Sequence, residues 1–346
     1  MIDPEKTQEQ QTFFANRLKK KFKHLWKYAR RVETNAFRIY HRDIPEIPFA
    51  VDWYDGHLHI AEYARPHDRT DEEHEEWLEG MIDTAARTLT VPRERVFFKR
   101  RERQRGDSQY EPVDRRDYTI TVEEHGLLFK VNLSDYIDTG LFLDHRDLRL
   151  YVAKGVRGKR FLNLFAYTGS FTVYAAAAGA SSTVTVDLSN TYIAWGKENM
   201  ELNALAGREH EFRRGDVLKE IGALREARRR FDVIVLDPPS FSNSKNMEGT
   251  FDVQRDHVGL INECLGLLAP GGHVVFSTNK RRFQFHRQEL NSGDIKKLTR
   301  LTMPEDFRDT NIHQVWSIAA PATASPESGR SRSNTGASRS TRRSRD

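Results

Sequence analysis

The sequence has one cysteine and no long apolar run, and both shortages narrow the class of protein. Cys264 alone cannot form an internal disulfide framework or a cysteine metal cluster. The apolar runs fall short of the ~18 residues needed to cross a bilayer, and residues 1–5 do not resemble a signal peptide. The histidines lack metal-ligand spacing. We therefore expect a cytoplasmic protein without a membrane segment or a metal.

Positive charge is unevenly distributed along the chain. The net charge is +5, and residues 319–346 contain six arginines against two acidic residues. This tail is rich in Ser, Arg, Thr and Gly and cannot bury a core, so it is predicted to be disordered. In the rest of the chain, positive charge is concentrated in short segments, so the positions of these segments must indicate the partner.

The chain divides into four predicted segments. Residues 1–35 form a basic helix, in which Phe14, Leu18 and Leu25 recur at helical spacing. Its lysines are either a solvated helix face or a phosphate-contacting arm. A small α+β domain over 36–135, an α/β domain over 136–318 and the tail over 319–346 complete the chain.

Strands and helices alternate from residue 161 onward, which predicts a doubly wound, mostly parallel Rossmann-like sheet whose last strand is antiparallel. The predicted strands are 161–166, 182–187, 210–213, 231–237, 273–278 and an antiparallel pair at 298–303 and 312–318. The predicted helices are 170–179, 189–204, 217–229 and 253–268.

A glycine turn joins the first of these strands to a helix. Gly169 lets the backbone approach a ligand because it has no Cβ, and the first N–H groups of the helix face whatever lies there. Asp187 ends the next strand, close to the about 20 positions expected between a nucleotide-site glycine and its ribose-binding acid.

Acidic residues end three successive predicted strands, at Asp187, Asp216 and Asp237. One such aspartate alone is more often a helix N-cap, but three after a glycine turn favour an adenosine site. Asp187 can accept from both ribose hydroxyls, and Asp216 could hold the adenine amino group. The candidate cofactor-binding residues are Asp144, Arg146, Phe165, Tyr167, Thr168, Gly169, Ser170, Asp187, Leu188, Asp216, Val217 and Asp237.

The ligand expected at this site is S-adenosylmethionine. The sequence lacks G-x-G-x-x-G and the P-loop pattern, which argues against a pyrophosphate ligand. Two prolines follow Asp237, fix the backbone and remove two N–H donors, and Phe241 can stack on a base. This segment suits a planar heterocycle presented to a sulfonium methyl; the alternative is a rigid loop without a special role.

Asp144 and Arg146 stand directly before a predicted helix. Asp144 is a candidate cap of that helix. Arg146 either faces the methionine carboxylate or forms a structural salt bridge, and the sequence leaves both open.

These residues resemble the class I S-adenosylmethionine-dependent methyltransferases. Over about residues 13–317 the chain is more specifically similar to the C-terminal half of the bifunctional bacterial large-subunit rRNA methyltransferases. The segments that carry this likeness are 14–18, 99–104, 138–146, 237–245, 251–257, 279–281 and 312–313.

The resemblance implies methylation of guanine N7 in 23S rRNA, on a precursor of the large subunit. The family's N-terminal half, which methylates N2 of another guanine, has no counterpart in this sequence. A separate N2-guanine methyltransferase module is therefore a candidate partner. The oligomeric state stays open.

The implied chemistry agrees with the candidate residues. Guanine N7 carries a lone pair and no proton, so methyl transfer needs alignment and no general base. A carboxylate would favour the positive product ring. The candidate catalytic residues are Asp237, Pro238 and Pro239, and the candidate substrate-binding residues are Ser240, Phe241, Asn243, Lys245, Lys99, Arg100, Arg101 and Arg103.

The sequence leaves three alternatives to N7 transfer to consider. Pyrimidine C5 chemistry needs a cysteine nucleophile, and Cys264 is predicted to pack inside a helix. Transfer to an exocyclic amine, on N2 of guanine or N6 of adenine, stays open because the proline-bounded carbonyls could accept from NH₂. An inactive RNA-binding or ribosome-assembly module with the same fold also stays open.

Overall fold

The amino-terminal part of the chain folds around a four-stranded sheet. The computed structural model describes residues 4–101, 116–242, 250–309 and 311–320. Strands one to three pair antiparallel, and the fourth pairs parallel with the third after a helical crossover. The elements are α1 (Pro4–Arg31), β1 (Ala36–His41), β2 (Phe49–Tyr54), β3 (His57–Tyr63), α2 (Asp71–Leu89) and β4 (Val96–Arg101).

Helix α1 packs on this sheet through its apolar stripe. Phe14, Leu18 and Leu25 share one buried cluster with Phe49 of β2 and Trp77 of α2. The helix covers most of the predicted segment 1–35 and begins at Pro4. The stripe predicted from helical spacing therefore attaches α1 to the sheet, and only its other faces are left for solvent or a partner.

A β-hairpin connects this sheet to the second one. It consists of β5 (Thr119–Glu124) and β6 (Leu127–Asn132). Its buried face joins a hydrophobic cluster that reaches from Tyr54 and Phe97 to Tyr174. The hairpin therefore fills the space between the two sheets.

The second sheet has seven strands and the predicted mostly parallel arrangement. Its strand order is β14-β15-β13-β10-β7-β8-β9, and the two strands β14 and β15 run antiparallel to their neighbours. The elements are α3 (Arg146–Lys154), β7 (Arg160–Leu164), α4 (Ser170–Ala177), β8 (Ser182–Asp187), α5 (Asn190–Leu202), β9 (His210–Arg214), α6 (Val217–Glu226), β10 (Phe231–Leu236), β11 (Phe241–Ser242), β12 (Phe251–Asp252), α7 (Val253–Leu265), β13 (Leu268–Thr278), β14 (Ile295–Lys297) and β15 (Gln314–Ala319).

The order of this sheet positions a ligand crevice. The chain adds β8 and β9 on one side of β7, then crosses to add β10 and β13 on the other. In such sheets the carboxyl ends of the strands at the reversal border the ligand. The central strands are buried on both faces, as Val233–Leu236 shows. The glycine turn and the strand-end aspartates therefore lie along one edge.

Two predicted strands differ from the structure. Residues 298–303 form a turn, because the N–H groups of Leu301 and Thr302 donate to the carbonyl of Leu298, and the edge strand is β14 instead. Strand β13 begins at Leu268 and not at 273, because a shift in its pairing with β10 accommodates the two glycines in between. Among the described residues, no helix has the length and apolarity that a bilayer crossing requires. The tail was predicted to be disordered over 319–346, but Ala319 ends β15, and residues 321–346 lie outside the described chain.

Candidate active site

The turn after β7 brings backbone to the edge of the sheet. Phe165, Tyr167 and Gly169 have positive φ angles of 57°, 52° and 71°, which bend the chain from β7 into α4. A Cβ on Gly169 would approach the Cα of Gly196 in α5 to 3.3 Å. Within the described residues no side chain caps α4, so its first N–H groups stay available. We call residues 165–170 the glycine corner.

Asp187 contacts this corner directly. One oxygen of its carboxylate accepts from the Tyr167 N–H at 2.8 Å, and the other accepts from the Ser189 N–H at 2.8 Å. Burial raises the pKa of Asp187 to about 6, although the N–H groups of Ser189 and Tyr167 act in the opposite direction. The corner and the predicted ribose acid therefore form one unit.

The side chains of the corner serve the protein interior. The Tyr167 ring packs on Tyr192, with centroids 4.5 Å apart, and the Thr168 hydroxyl donates to the Gly140 carbonyl at 2.6 Å. Phe165, Ser170 and Leu188 are half-buried. The glycine corner therefore presents mainly backbone atoms along the edge of the sheet.

Asp216 lies beside Asp187 and has the cap role that sequence reasoning weighed. Its carboxylate accepts from the Leu218 N–H at 2.8 Å and begins α6. The Gly215 N–H donates to the Asp187 carbonyl at 3.0 Å, which ties the two strand ends together. The Val217 side chain packs in the core, so a contact with adenine would use its backbone.

The Asp237 segment lies on the other side of β7. The Ser277 hydroxyl donates to one carboxylate oxygen of Asp237, and His145 Nδ1 lies 3.5 Å from the other. Pro238 is buried, and Pro239 and Ser240 are half-buried.

Ser240 and Phe241 extend this segment. The Ser240 hydroxyl donates to the Asn279 side chain at 2.7 Å, while the Phe241 side chain is 47% exposed. The structure thus presents a fixed carboxylate and diproline next to an accessible aromatic ring.

The expected contact of Arg146 with the cofactor is wrong. This arginine is fully buried, and its guanidinium lies 2.9 Å from Asp306 and 3.3 Å from Glu124. It also donates to the Ala36 carbonyl at 2.6 Å. The alternative of a structural salt bridge is the one that the structure shows.

The expected cap role of Asp144 is also wrong. His145 occupies the N-cap position of α3, and within the described residues no side chain caps this helix. Asp144 instead accepts from His313 Nδ1 at 2.8 Å. Burial would raise the pKa of Asp144, but His145 and His313 together hold it below its usual value.

Sequence reasoning missed His145, Ser277 and His313. His145 and His313 lie inside segments 138–146 and 312–313, and Ser277 is the next-to-last residue of the predicted strand 273–278. Their spacing in the sequence does not indicate that they lie next to Asp237 and Asp144. Two of them belong to a candidate metal-ligand set among the described residues, because potential ligand atoms of Asp144, His145 and His313 lie within 4.8 Å of one another.

The predicted basic contacts have different positions. Lys99 is buried and donates to the Ser134 carbonyl, so its assignment as a phosphate contact is wrong. Arg100 forms an ion pair with Glu75, and Arg101 lies 2.7 Å from Asp138. The predictions for Arg103, Asn243 and Lys245 fall outside the described residues. Cys264 is buried in α7, as expected, and burial raises its pKa.

Comparison with known proteins gives the chain a family and relatives. Residues 36–313 match the model of a family described as S-adenosylmethionine-dependent methyltransferase. A ribosomal RNA large subunit methyltransferase K of Neisseria meningitidis serogroup B is 47% identical over 307 residues, which are 89% of this chain and 87% of that protein. A methyltransferase K/L of Vibrio cholerae serotype O1 is 47% identical over 88% of this chain, which spans 43% of that protein.

Solved structures share the fold. A putative methyltransferase complexed with SAH has a TM-score of 0.72 at 23% identity, over 89% of this chain and 81% of that one. A putative SAM-dependent methyltransferase from Streptococcus mutans has a TM-score of 0.69 at 22% identity, with the same coverage. This likeness confirms the predicted Rossmann-like sheet of the class I type.

Proposed function

The chain belongs to the S-adenosylmethionine-dependent methyltransferases and uses S-adenosylmethionine as its cofactor, and we propose that it methylates guanine N7 in 23S rRNA. The curated relatives support an RNA substrate, because their names describe large-subunit rRNA methyltransferases. We also propose that the chain corresponds to the C-terminal half of the K/L relatives, of which it spans less than half the length. The partner would then be a separate N2-guanine methyltransferase module.

The glycine corner and the neighbouring acids fit this cofactor. An approach without a Cβ at Gly169, together with the N–H groups that begin α4, suits close backbone contact with the methionine part. Asp187 is proposed to accept from the ribose hydroxyls, and Asp216 and the Val217 backbone to contact adenine. The bound cofactor supplies an electrophilic methyl group on a sulfonium.

The observation that carries the N7 proposal is the position of residues 237–241 beside the glycine corner. Strand β10 is the direct neighbour of β7, so Asp237 and the corner leave the sheet side by side. A rigid diproline can align a purine in its plane, and the exposed Phe241 ring can stack on it. Because N7 has no proton to lose, alignment and the Asp237 carboxylate suffice for the transfer.

The test is methylation of an unmodified 23S rRNA transcript with labelled cofactor, followed by nucleoside mass spectrometry. The expected product is 7-methylguanosine. If the product is N2-methylguanosine or N6-methyladenosine, the methyl acceptor is an exocyclic amine and not N7. Calorimetry with S-adenosylhomocysteine covers the remaining alternative, since a protein that neither binds it nor transfers methyl is an RNA-binding module only.

Two variants test the proposed roles at the acceptor side. Asp237→Ala is expected to lose turnover and to keep most of its affinity for S-adenosylhomocysteine. Asp294→Ala, which removes an exposed carboxylate before β14, is the matched control and should keep full activity. A loss of cofactor affinity in Asp237→Ala, with turnover kept at saturation, would contradict the assignment.

A further inference from the structure

Several parts of the chain meet behind Asp237, and His145 lies where they meet. This histidine ends a short helical turn before α3, with its side chain only 8% exposed. Its Nδ1 lies 3.5 Å from the Asp237 carboxylate, whose other oxygen is held by Ser277 at the end of β13. Catalytic hydrogen bonds are often long until substrate binds. Ser277 therefore holds one carboxylate oxygen of Asp237, and the His145 ring lies next to the other.

A second histidine lies behind the first one. The His313 ring, fully buried just before β15, has its centroid 4.7 Å from that of His145. Its Nδ1 hydrogen-bonds Asp144 at 2.8 Å, which fixes its orientation. Phe142 and Phe171 pack against His145, with centroids 6.2 and 5.9 Å away. The imidazole of His145 is thus confined to one position.

If these histidines served packing alone, the arrangement would lower the stability of the fold. Within the described residues, the Nε2 atoms of His145 and His313 are buried without a hydrogen-bond partner. An unpaired buried polar atom destabilises the fold, so apolar side chains of similar size would make a more stable core. The polar rings are better explained by what His145 does for Asp237.

We infer that His145 is a positioning residue that orients the Asp237 carboxylate toward the acceptor base, with His313 and Asp144 fixing its ring. The inference rests on the proposed role of Asp237. A misplacement of about 1 Å at a reacting centre can cost about 100-fold in rate. The loss of the Nδ1 donor should therefore appear in kcat and leave cofactor binding unchanged.

The experiment compares two substitutions at one position. His145→Leu keeps the volume and removes the donor, whereas His145→Asn keeps an N–H donor close to the Nδ1 position. The measurement is total labelled methyl transferred to rRNA under steady state, with calorimetry of S-adenosylhomocysteine beside it. We expect kcat of His145→Leu to fall by about 10- to 100-fold, kcat of His145→Asn to recover most of this loss, and KM for the cofactor to stay unchanged in both.

His257→Leu and His257→Asn are the matched controls. His257 is buried in α7, where its Nε2 accepts from the His286 N–H at 3.2 Å, away from Asp237. These variants should lower the melting temperature without lowering kcat. Equal losses of kcat in His145→Leu and His145→Asn, or losses that follow stability alone, would overturn the inference.

Two further outcomes separate this inference from its alternatives. Total label reports transfer whatever nucleoside forms, so a product other than 7-methylguanosine would refute the N7 proposal without touching the His145 comparison. If EDTA abolishes activity and added Zn²⁺ restores it, Asp144, His145 and His313 hold a metal, and the positioning role is refuted.

Discussion

The contact partners of Arg146 and Asp187 distinguish a structural residue from a proposed ligand contact. Arg146 and Asp187 both follow motifs that point to the cofactor, yet their surroundings differ. Arg146 is fully buried among carboxylates of the protein itself, and Asp306, one of them, lies 160 positions further along the chain. Among the described residues, the Asp187 carboxylate accepts from the backbone N–H groups of Tyr167 and Ser189 at the edge of the sheet. Because its partner is so distant in sequence, the role of Arg146 could not be predicted from local motifs. The role of Asp187 could be proposed from such motifs.

Arg146→Met should be strongly destabilising. It removes one partner from a buried network that contains Glu124, Asp306 and Arg149, so Asp306 keeps an uncompensated charge. Breaking such a pair costs about 3–5 kcal/mol. Urea denaturation measures the change, and calorimetry at low temperature should show unchanged affinity for S-adenosylhomocysteine.

Arg160→Met is the control for that substitution. Arg160 pairs with Asp232 at 3.0 Å, but its side chain is exposed, and such pairs contribute about 0–1 kcal/mol. Equal effects of the two substitutions on the free energy of unfolding would contradict a structural role for Arg146.

Asp187 should make cofactor binding depend on pH. Its pKa of about 6 lies above the ordinary value of 3.8, and only the ionised carboxylate accepts from both ribose hydroxyls. Affinity for S-adenosylhomocysteine is therefore expected to be full above pH 7 and about tenfold weaker at pH 5. The contribution of Asp187 to the free energy of unfolding changes with pH in the opposite direction. A raised carboxyl pKa favours the folded state at low pH, and this contribution is lost as pH rises from about 4 to 6.

Asp187→Asn isolates this residue in the pH experiment. The amide cannot ionise, so the variant should bind weakly at every pH, and its affinity should no longer fall below pH 6. Calorimetry from pH 5 to 8 on both proteins is the measurement. A wild-type profile without a decrease near pH 6 would mean that Asp187 does not contact the ribose through its charge.

At the scale of elements, α5 closely approaches the glycine corner, where the cofactor is proposed to bind. A Cβ on Gly196 would lie 2.9 Å from the Phe212 ring and 3.4 Å from the Thr168 carbonyl. Gly196→Ala should therefore push α5 or the corner outward. We expect a loss of about 1–3 kcal/mol from overpacking and weaker binding of S-adenosylhomocysteine.

Gly259→Ala provides the matched comparison in another helix. Gly259 lies inside α7, and a Cβ there would meet no described atom within 4 Å. Alanine has the higher helix propensity, so this variant should gain about 0.5–1 kcal/mol. Thermal denaturation and calorimetry of both variants test the difference, and equal behaviour would show that the α5 contact does not control the corner.

Elements with a strong pattern were predictable, and those that depend on pairing were not. The predicted strand 182–187 coincides with β8, because a run of Thr and Val ends at an aspartate. Strand β14 was missed because it is a short edge strand in which only Ile295 is buried and two lysines follow. The turn that replaces the predicted strand at 298–303 exposes Leu301 by 67%, a position that an alternating pattern assigns to the core.

At the scale of the whole molecule, the packing of α1 determines which of its residues can reach RNA. Phe22 and Trp26 pack with Phe37 and Trp53 of the first sheet, with ring centroids 4.8–6.4 Å apart. The lysines of the other faces are exposed; they are Lys19, Lys20, Lys23 and Lys27. Both interpretations of this helix, a solvated face and a phosphate-contacting arm, agree with that orientation, so binding has to decide between them.

Salt dependence distinguishes the two interpretations of α1. Each phosphate contact releases counterions and adds about 0.7–0.9 to the slope of log K against log salt. If the arm contacts rRNA, Lys23→Gln with Lys27→Gln should reduce this slope by about 1.5 and weaken binding most at low salt. Lys296→Gln with Lys297→Gln is the control, because it removes the same charge from the exposed edge strand β14. Filter binding from 50 to 300 mM salt (about the range where the slope is linear) is the measurement. Equal slopes for the two double variants would leave α1 a solvated helix face, and the phosphate contacts would then have to come from another surface.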